Sequence, residues 1–204
     1  MGKKKEDGYC EKGMVIFMQK IQVIEQFDTH LSRLGEIADS FSGNAFYSPG
    51  PFINWLDSCI QLAQAHQIAF HTELSLLKAD VLTYIPANGK IEPDTSRLAK
   101  KLKRRHVMEC MEQALTCVKQ YFQPTRSLLE ESGALCRKLL AVCVPKGYIT
   151  DPNMEISGLI KLIQTDAELM PALTNVIGTV GYDNTVILLA RILDEVLPQG
   201  YNGG

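Results

Sequence analysis

Four long stretches of the chain contain almost no glycine or proline, and this feature constrains the fold most. The stretches are residues 14–41, 52–85, 94–123 and 125–144, with one glycine in the first and one in the last. β-Strands average only about 5–6 residues, so stretches of this length favour helices. Apolar residues recur in them at alternating steps of three and four, as at Ile24, Phe27 and Leu31. This is the spacing of one buried helix face, and the sequence therefore predicts an all-α protein.

Turn and cap residues separate the stretches. Pro51 can occupy the first turn of the second helix. Asn88-Gly89 ends that helix, and the same dipeptide also allows a small hairpin at this point. Asp94 is a suitable N-cap for the third helix. These signals predict one helix over 52–85 and another beginning after Asp94.

Pro124 interrupts the apolar pattern between the third and fourth stretches. Ser127 with Glu130 has the spacing of a capping box, which predicts that the chain restarts as a fourth helix in a hairpin. The alternative is a single long helix with a kink at Pro124.

The last third of the chain carries shorter helical patterns. The helices predicted there cover about 153–165, 167–178 and 184–197. We therefore expect an irregular antiparallel bundle of four longer helices and a C-terminal group of about three shorter helices packed on it. The predicted segments are an N-terminal tail (1–13), the bundle (14–144), the short-helix subdomain (145–198) and a C-terminal tail (199–204).

Five of the six cysteines fall inside helical patterns. The cysteines are Cys10, Cys59, Cys110, Cys117, Cys136 and Cys143. Buried free thiols in a reducing cytoplasm are the expectation, because cysteine packs as a small hydrophobic residue. A hairpin at Pro124 would instead bring Cys110 near Cys143 and Cys117 near Cys136. Zinc ligands usually lie two to four residues apart, and that spacing is absent among the cysteines, so no metal site is predicted.

No motif for catalysis or for cofactor binding is visible. None of the four histidines has glutamate three residues before it, which argues against a di-iron bundle. The chain also lacks a Gly-x-Ser-x-Gly nucleophile motif and the glycine-rich loops that cradle phosphate. We expect no catalytic residue and no cofactor. The alternative is an enzyme or a small-ligand-binding protein with a pocket between helices.

A cluster of basic residues is the most distinctive local feature. It comprises Arg97, Lys100, Lys101, Lys103, Arg104 and Arg105, with no acidic residue among them. Positive charge at a helix start opposes the macrodipole, so local helix stability does not explain the cluster. A solvated face is one interpretation. The other is a contact with an acidic partner, for which Lys100, Lys101, Arg104 and Arg105 are the candidates.

The C-terminal segment is acidic and apolar by contrast. Residues 151–204 carry seven acidic and two basic side chains. The last predicted helix is apolar around much of its circumference, so it is either the central helix of the subdomain or a helix that meets a partner. The candidate partner-binding residues on it are Leu189, Ile192, Leu193 and Leu197.

Charge and hydropathy exclude two other classes. The formal net charge is −2, whereas nucleic-acid binders are usually basic, and no aromatic residues interleave with the basic cluster. No run approaches the roughly 18 apolar residues of a membrane helix. We expect a soluble cytoplasmic protein that binds amphipathic or basic helical segments of other proteins, but neither nucleic acid nor membrane.

Residues 18–198 resemble a known family in length, helical pattern, lack of a catalytic motif and acidic, apolar C-terminal portion. The family comprises the small accessory adaptors of the bacterial Dot/Icm type IV secretion system. The resemblance implies a chaperone-like adaptor without enzymatic activity, which binds the C-terminal tail of the coupling ATPase and recruits secreted effector proteins. It rests on general character and assigns no residue a role.

Overall fold

The structure is a computed structural model that describes residues 21–43, 48–84, 97–149 and 154–196. Seven α-helices and no strand occur among these residues, which confirms the predicted all-α class. The helices are α1 (Ile21–Gly43), α2 (Gly50–Ala65), α3 (His71–Thr83), α4 (Arg97–Cys143), α5 (Ile156–Thr165), α6 (Met170–Val180) and α7 (Tyr182–Val196). The predicted tails, the Asp94 cap and the turn of the possible hairpin lie outside the described residues. The antiparallel bundle arrangement stays a prediction.

The chain folds into two compact units. The central unit is Ile24–Phe122, and the C-terminal unit combines Gln123–Gly204 with Met1–Val23. The sequence instead predicts a boundary between the bundle and the short-helix subdomain after residue 144. In the structure, Cys136, Leu140 and Cys143 share a buried core with α5, α6 and α7, so the last part of α4 belongs to the C-terminal unit.

An aromatic cluster lies in the core of the central unit. The rings of Phe27, Phe70 and Phe122 are fully or almost fully buried. Phe27 lies 5.3 Å from Phe70 and 5.1 Å from Phe122, measured between ring centroids. Tyr121 meets Phe70 edge-on at 5.0 Å, a favourable geometry for aromatic pairs. These rings join α1, the turn before α3 and the middle of α4.

The prediction of one helix over 52–85 is wrong, because the chain turns between α2 and α3. Gln67 has a φ angle of 54°, in the left-handed region. The Gln67 amide donates to the Gln64 carbonyl at 3.0 Å, and the Ile68 amide donates to the Ala63 carbonyl at 2.8 Å. This pair of bonds is a Schellman motif, which normally carries glycine at the left-handed position. With glutamine there, the apolar spacing runs on through the helix end and hides it.

The predicted helix restart after Pro124 is also wrong. Helix α4 is continuous from Arg97 to Cys143 with Pro124 inside it, so the single long helix is the correct alternative. A proline inside a helix costs about 3 kcal/mol, since one hydrogen bond is lost and the ring crowds the preceding turn. Phe122 and Thr125 are buried on either side of Pro124. Packing of both flanks outweighs this local cost.

The C-terminal unit contains the three shorter helices that were predicted, each with bounds close to the expected ones. Its core combines α4 with apolar residues such as Leu159, Ile163 and Leu173. Asn184 connects two segments, because its Oδ1 accepts from the Ile21 amide at 3.1 Å and its Nδ2 donates to the Val180 carbonyl at 2.8 Å.

No single helix among the described residues combines the length and apolar composition needed to cross a membrane. In the part of the chain that the structure describes, only α6 and α7 taken together, bent by 117° at their junction, reach that length and composition.

Candidate functional site

A groove lies between α3 and α4 in the central unit, with a cavity volume of about 390 Å³. It is lined by Glu73, Leu76, Leu77, Asp80, Gln113 and Cys117. Leu74 and Val81, on the adjoining face of α3, are buried in the core. Leu76 is 67% exposed in the groove. The helix is thus held by one apolar face while it presents a leucine to solvent on another.

The charged groups that line the groove are acidic. Glu73 and Asp80 contribute carboxylates, and none of the described residues that line the groove is basic. The Cys117 thiol donates to Glu73 Oε2 at 2.8 Å. Burial, followed by the hydrogen bond and charge of Glu73, raises the pKa of Cys117 to about 12. Cys117 is therefore a protonated donor at neutral pH and a poor nucleophile.

Three potential metal ligands meet at Asp80. His106 Nε2 lies 3.2 Å from Asp80 Oδ2, and Cys110 Sγ lies 3.8 Å from the same oxygen. The distance from Cys110 Sγ to His106 Nε2 is 3.6 Å. The ring of Tyr84 stacks on His106 with centroids 4.3 Å apart and planes 22° apart. These groups form the Asp80–His106–Cys110 cluster.

The members of this cluster differ in their access to solvent. The side chain of Asp80 is 56% exposed and that of His106 is 17% exposed, whereas Cys110 is buried. Burial, then the charge and hydrogen bond of Asp80, then the charge of Glu109, raise the pKa of Cys110 to about 11. In the absence of a cation the thiol is therefore protonated at neutral pH.

Sequence reasoning missed this cluster and predicted no metal site. The cysteines lack zinc-ligand spacing among themselves and no histidine has glutamate three residues before it, but His106 and Cys110 are four residues apart and lie on one helix face. That spacing is the signal that could have indicated two of the ligands. Asp80 comes from another helix, and only the fold brings it to them.

The structure gives part of the basic cluster a role in the fold. Arg104 donates to the carbonyls of Phe41 and Ser42, each at 2.6 Å, and its guanidinium lies 5.8 Å from the Phe41 ring centroid. These contacts satisfy carbonyls at the end of α1, which have no partner within the helix. Arg105 forms an exposed pair with Glu109 on its own helix.

The other predicted partner-binding residues have different surroundings. Lys100 and Lys101 are exposed at the start of α4. Leu189, Ile192 and Leu193 are buried in the core of the C-terminal unit, which is the alternative that the sequence left open. Leu197 lies outside the described residues.

All five described cysteines are free, as expected. Cys59, Cys110, Cys136 and Cys143 are buried, and Cys117 is partly buried. Because α4 is continuous, the hairpin that would have paired cysteines across two helices does not form. Burial raises the pKa of Cys59 to about 12. Cys10 lies outside the described residues.

A second polar cluster lies in the C-terminal unit around Asp166. Asp166 Oδ2 accepts from Lys146 Nζ at 2.7 Å and from the Tyr148 hydroxyl at 2.9 Å. Asp166 Oδ1 accepts from the amides of Glu168 at 2.8 Å and Leu169 at 3.3 Å. The Lys146 hydrogen bond, followed by these backbone and hydroxyl donors, holds the pKa of Asp166 well below its usual range. This carboxylate closes the turn before α6.

Comparison with protein-family models, with curated proteins and with solved structures found no match to this chain. A proposal of function therefore depends on the groove and on the two polar clusters.

Proposed function

We propose that this protein is a non-enzymatic helical adaptor, which binds an amphipathic, basic helical segment of another polypeptide in the groove between α3 and α4. The observation that carries the proposal is the exposure of Leu76 inside a groove that also contains Leu77. Full burial of a leucine side chain contributes roughly 1.5–3 kcal/mol. A partner that covers Leu76 would gain a large part of this free energy.

Charge complementarity indicates what kind of segment fits. Glu73 and Asp80 line the groove without a basic neighbour among the lining residues. A lysine or arginine beside the apolar residues of the partner would meet Glu73, while a glutamate there would be repelled. Such charges contribute more to partner selection than to affinity.

Helix-in-groove binding is a common way to recognise such a segment, with anchors spaced three and four residues apart. The resemblance to Dot/Icm accessory adaptors suggests which natural partners to try first. These are the C-terminal tail of a secretion coupling protein and the effectors that it exports.

The first experiment uses two synthetic helical peptides that share the same leucine anchors. One carries lysines beside the anchors and the other carries glutamates, and fluorescence anisotropy measures their affinities for the full chain. We expect the lysine peptide to bind saturably, and Leu76→Lys to weaken it by roughly tenfold or more, because a buried leucine is lost. Glu73→Lys should shift the preference toward the glutamate peptide.

Leu82→Lys is the matched control. Leu82 is on the same helix and is 60% exposed, but it does not line the groove. It is six residues from Leu76, which places it about 120° around the helix. We expect Leu82→Lys to bind the lysine peptide like the wild type. Equal loss in Leu76→Lys and Leu82→Lys, or equal affinity for both peptides, would contradict the adaptor proposal.

A further inference from the structure

We propose that Asp80, His106 and Cys110 bind one Zn²⁺ ion through Oδ2, Nε2 and Sγ. All three ligand atoms lie within 4.8 Å of one another, in a group drawn from α3 and α4 of the central unit. Asp80 contributes one carboxylate oxygen, and His106 and Cys110 contribute from successive turns of α4.

The separations between the ligand atoms match a tetrahedral zinc centre. With zinc about 2.3 Å from sulfur and about 2.0–2.1 Å from nitrogen and oxygen, nitrogen and oxygen are roughly 3.3 Å apart and sulfur is roughly 3.6 Å from each. The structure has 3.2 Å between His106 Nε2 and Asp80 Oδ2. Cys110 Sγ is 3.6 Å from the nitrogen and 3.8 Å from the oxygen. Only small side-chain adjustments would bring all three atoms to bonding distance.

The donor set selects among metals. Mg²⁺ and Ca²⁺ prefer oxygen ligands, whereas thiolate, imidazole and carboxylate together suit Zn²⁺. Zinc binding converts the Cys110 thiol to a thiolate, so one S–H bond is replaced by a Zn–S bond and the proton passes to solvent. No oxidation or reduction accompanies this step.

The surrounding structure holds the ligands in place. His106 and Cys110 are separated by one turn of α4, and Val107 and Met111 beside them are buried. Tyr84 stacks on the imidazole and restricts its orientation.

Three protein ligands leave the fourth tetrahedral position for water or for a ligand atom from a bound molecule. Asp80 is exposed and also lines the α3–α4 groove. A zinc ion held by Asp80 would therefore lie beside the surface that we propose for the partner, and Glu73 would remain the groove carboxylate that meets its basic residue.

The test is titration of the reduced, metal-free full chain with Co²⁺, followed by displacement with Zn²⁺. Tetrahedral Co²⁺ with a thiolate ligand has visible absorption bands and a sulfur-to-metal charge-transfer band. We expect both at one equivalent of Co²⁺, and we expect Zn²⁺ to remove them. Cys110→Ser should abolish the charge-transfer band, and His106→Gln should lower the affinity by at least about 100-fold, because it removes a ligand itself.

Three further variants make the test specific. Cys117→Ser and His66→Gln change a cysteine on the same helix and an exposed histidine elsewhere in the unit. Both should keep the wild-type spectrum. Asp80→Asn should lower the affinity for Co²⁺, because it removes the carboxylate ligand. It should not disturb the fold, because the Asp80 side chain is exposed.

Retention of the charge-transfer band in Cys110→Ser, or its absence from the wild type at one equivalent, would overturn the zinc proposal. Peptide binding by the metal-free protein is measured separately and tests the adaptor proposal alone.

Discussion

The two units of this protein each contain a carboxylate in a polar cluster, and the two carboxylates have different partners. Asp166 in the C-terminal unit accepts from a lysine, a tyrosine and two backbone amides. Asp80 in the central unit meets an imidazole nitrogen and a thiol. None of the groups that donate to Asp166 is a usual zinc ligand, whereas both partners of Asp80 are of types that commonly bind zinc. The first arrangement closes a turn, and the second has the composition of a binding site.

The largest expected effect is stabilisation of the central unit by zinc. A ligand that binds only the folded state contributes about 2.7 kcal/mol at 100 times its Kd. Hydrogen exchange of α3 and of the first half of α4, measured with and without Zn²⁺, should show this stabilisation. His106→Gln should remove it, and Asp166→Asn should retain it. If zinc slowed hydrogen exchange equally in the wild type and in His106→Gln, the Asp80–His106–Cys110 cluster would not be the zinc site, and this difference between the two clusters would be lost.

Asp166→Asn should in turn destabilise the C-terminal unit. The amide retains an acceptor oxygen for the turn, but it loses the charge that faces Lys146 and one of the acceptors. We expect a melting temperature lower by several degrees, with faster hydrogen exchange confined to α5, α6 and α7. Asp194→Asn, at an exposed position of α7, is the control and should have little effect. Loss of protection in the central unit would argue against a local role for Asp166.

The same cluster predicts a pH dependence. The partners of Asp166 hold its pKa in the folded chain below the usual value. As the pH falls, Asp166 is therefore protonated in the unfolded chain before it is protonated in the folded chain. The stabilisation from Asp166 is therefore complete above about pH 5 and is lost as pH falls from about 4 toward the folded-state pKa. Chemical denaturation of the wild type should show this decline in the C-terminal unit. Asp166→Asn should have a flatter profile, and parallel profiles would contradict the assignment.

The smallest expected effects on stability come from substitutions at two helix ends, one in each unit. These two ends differ in the residue that adopts the left-handed backbone conformation. In the C-terminal unit, Gly147 has a φ angle of 71° and the Tyr148 amide donates to the Cys143 carbonyl at 3.1 Å. The central unit forms the same type of turn with Gln67. A left-handed residue other than glycine costs roughly 1–2 kcal/mol, which the greater freedom of glycine in the unfolded chain partly offsets.

The reciprocal exchange tests this difference. We expect Gln67→Gly to raise the free energy of unfolding by about 0.5–1 kcal/mol, and Gly147→Gln to lower it by about 1 kcal/mol. Urea denaturation measures both. Changes of the same sign would show that contacts of the glutamine side chain, rather than backbone strain, decide stability at these turns.

These turns also show how much of the structure can be predicted from the sequence. The helical class and the three C-terminal helices follow from apolar spacing, which is a local property. The turn at Gln67 did not follow, because no glycine, proline or asparagine indicates it. Pro124 indicated a break that packing on both sides prevents. The first error is a turn without a local sequence signal, and the second is a local signal that packing outweighs.

The candidate site shows the same limit. The residues His106 and Cys110 can be paired from their spacing, but Asp80 is brought to them only by the turn that separates α2 from α3 and by the packing of α3 on α4. Arg104 was predicted to bind a partner on the basis of charge alone. The structure shows that its guanidinium contacts the end of α1, which no pattern within the basic cluster could indicate.

X-ray absorption at the zinc edge, on the full chain loaded with one equivalent of Zn²⁺, tests the zinc site most directly. We expect one sulfur at about 2.3 Å from zinc and nitrogen or oxygen ligands at about 2.0–2.1 Å, because Cys110 is the one cysteine in the Asp80–His106–Cys110 cluster. A zinc coordination shell without sulfur, or with two or more sulfur atoms, would contradict coordination by Asp80, His106 and Cys110.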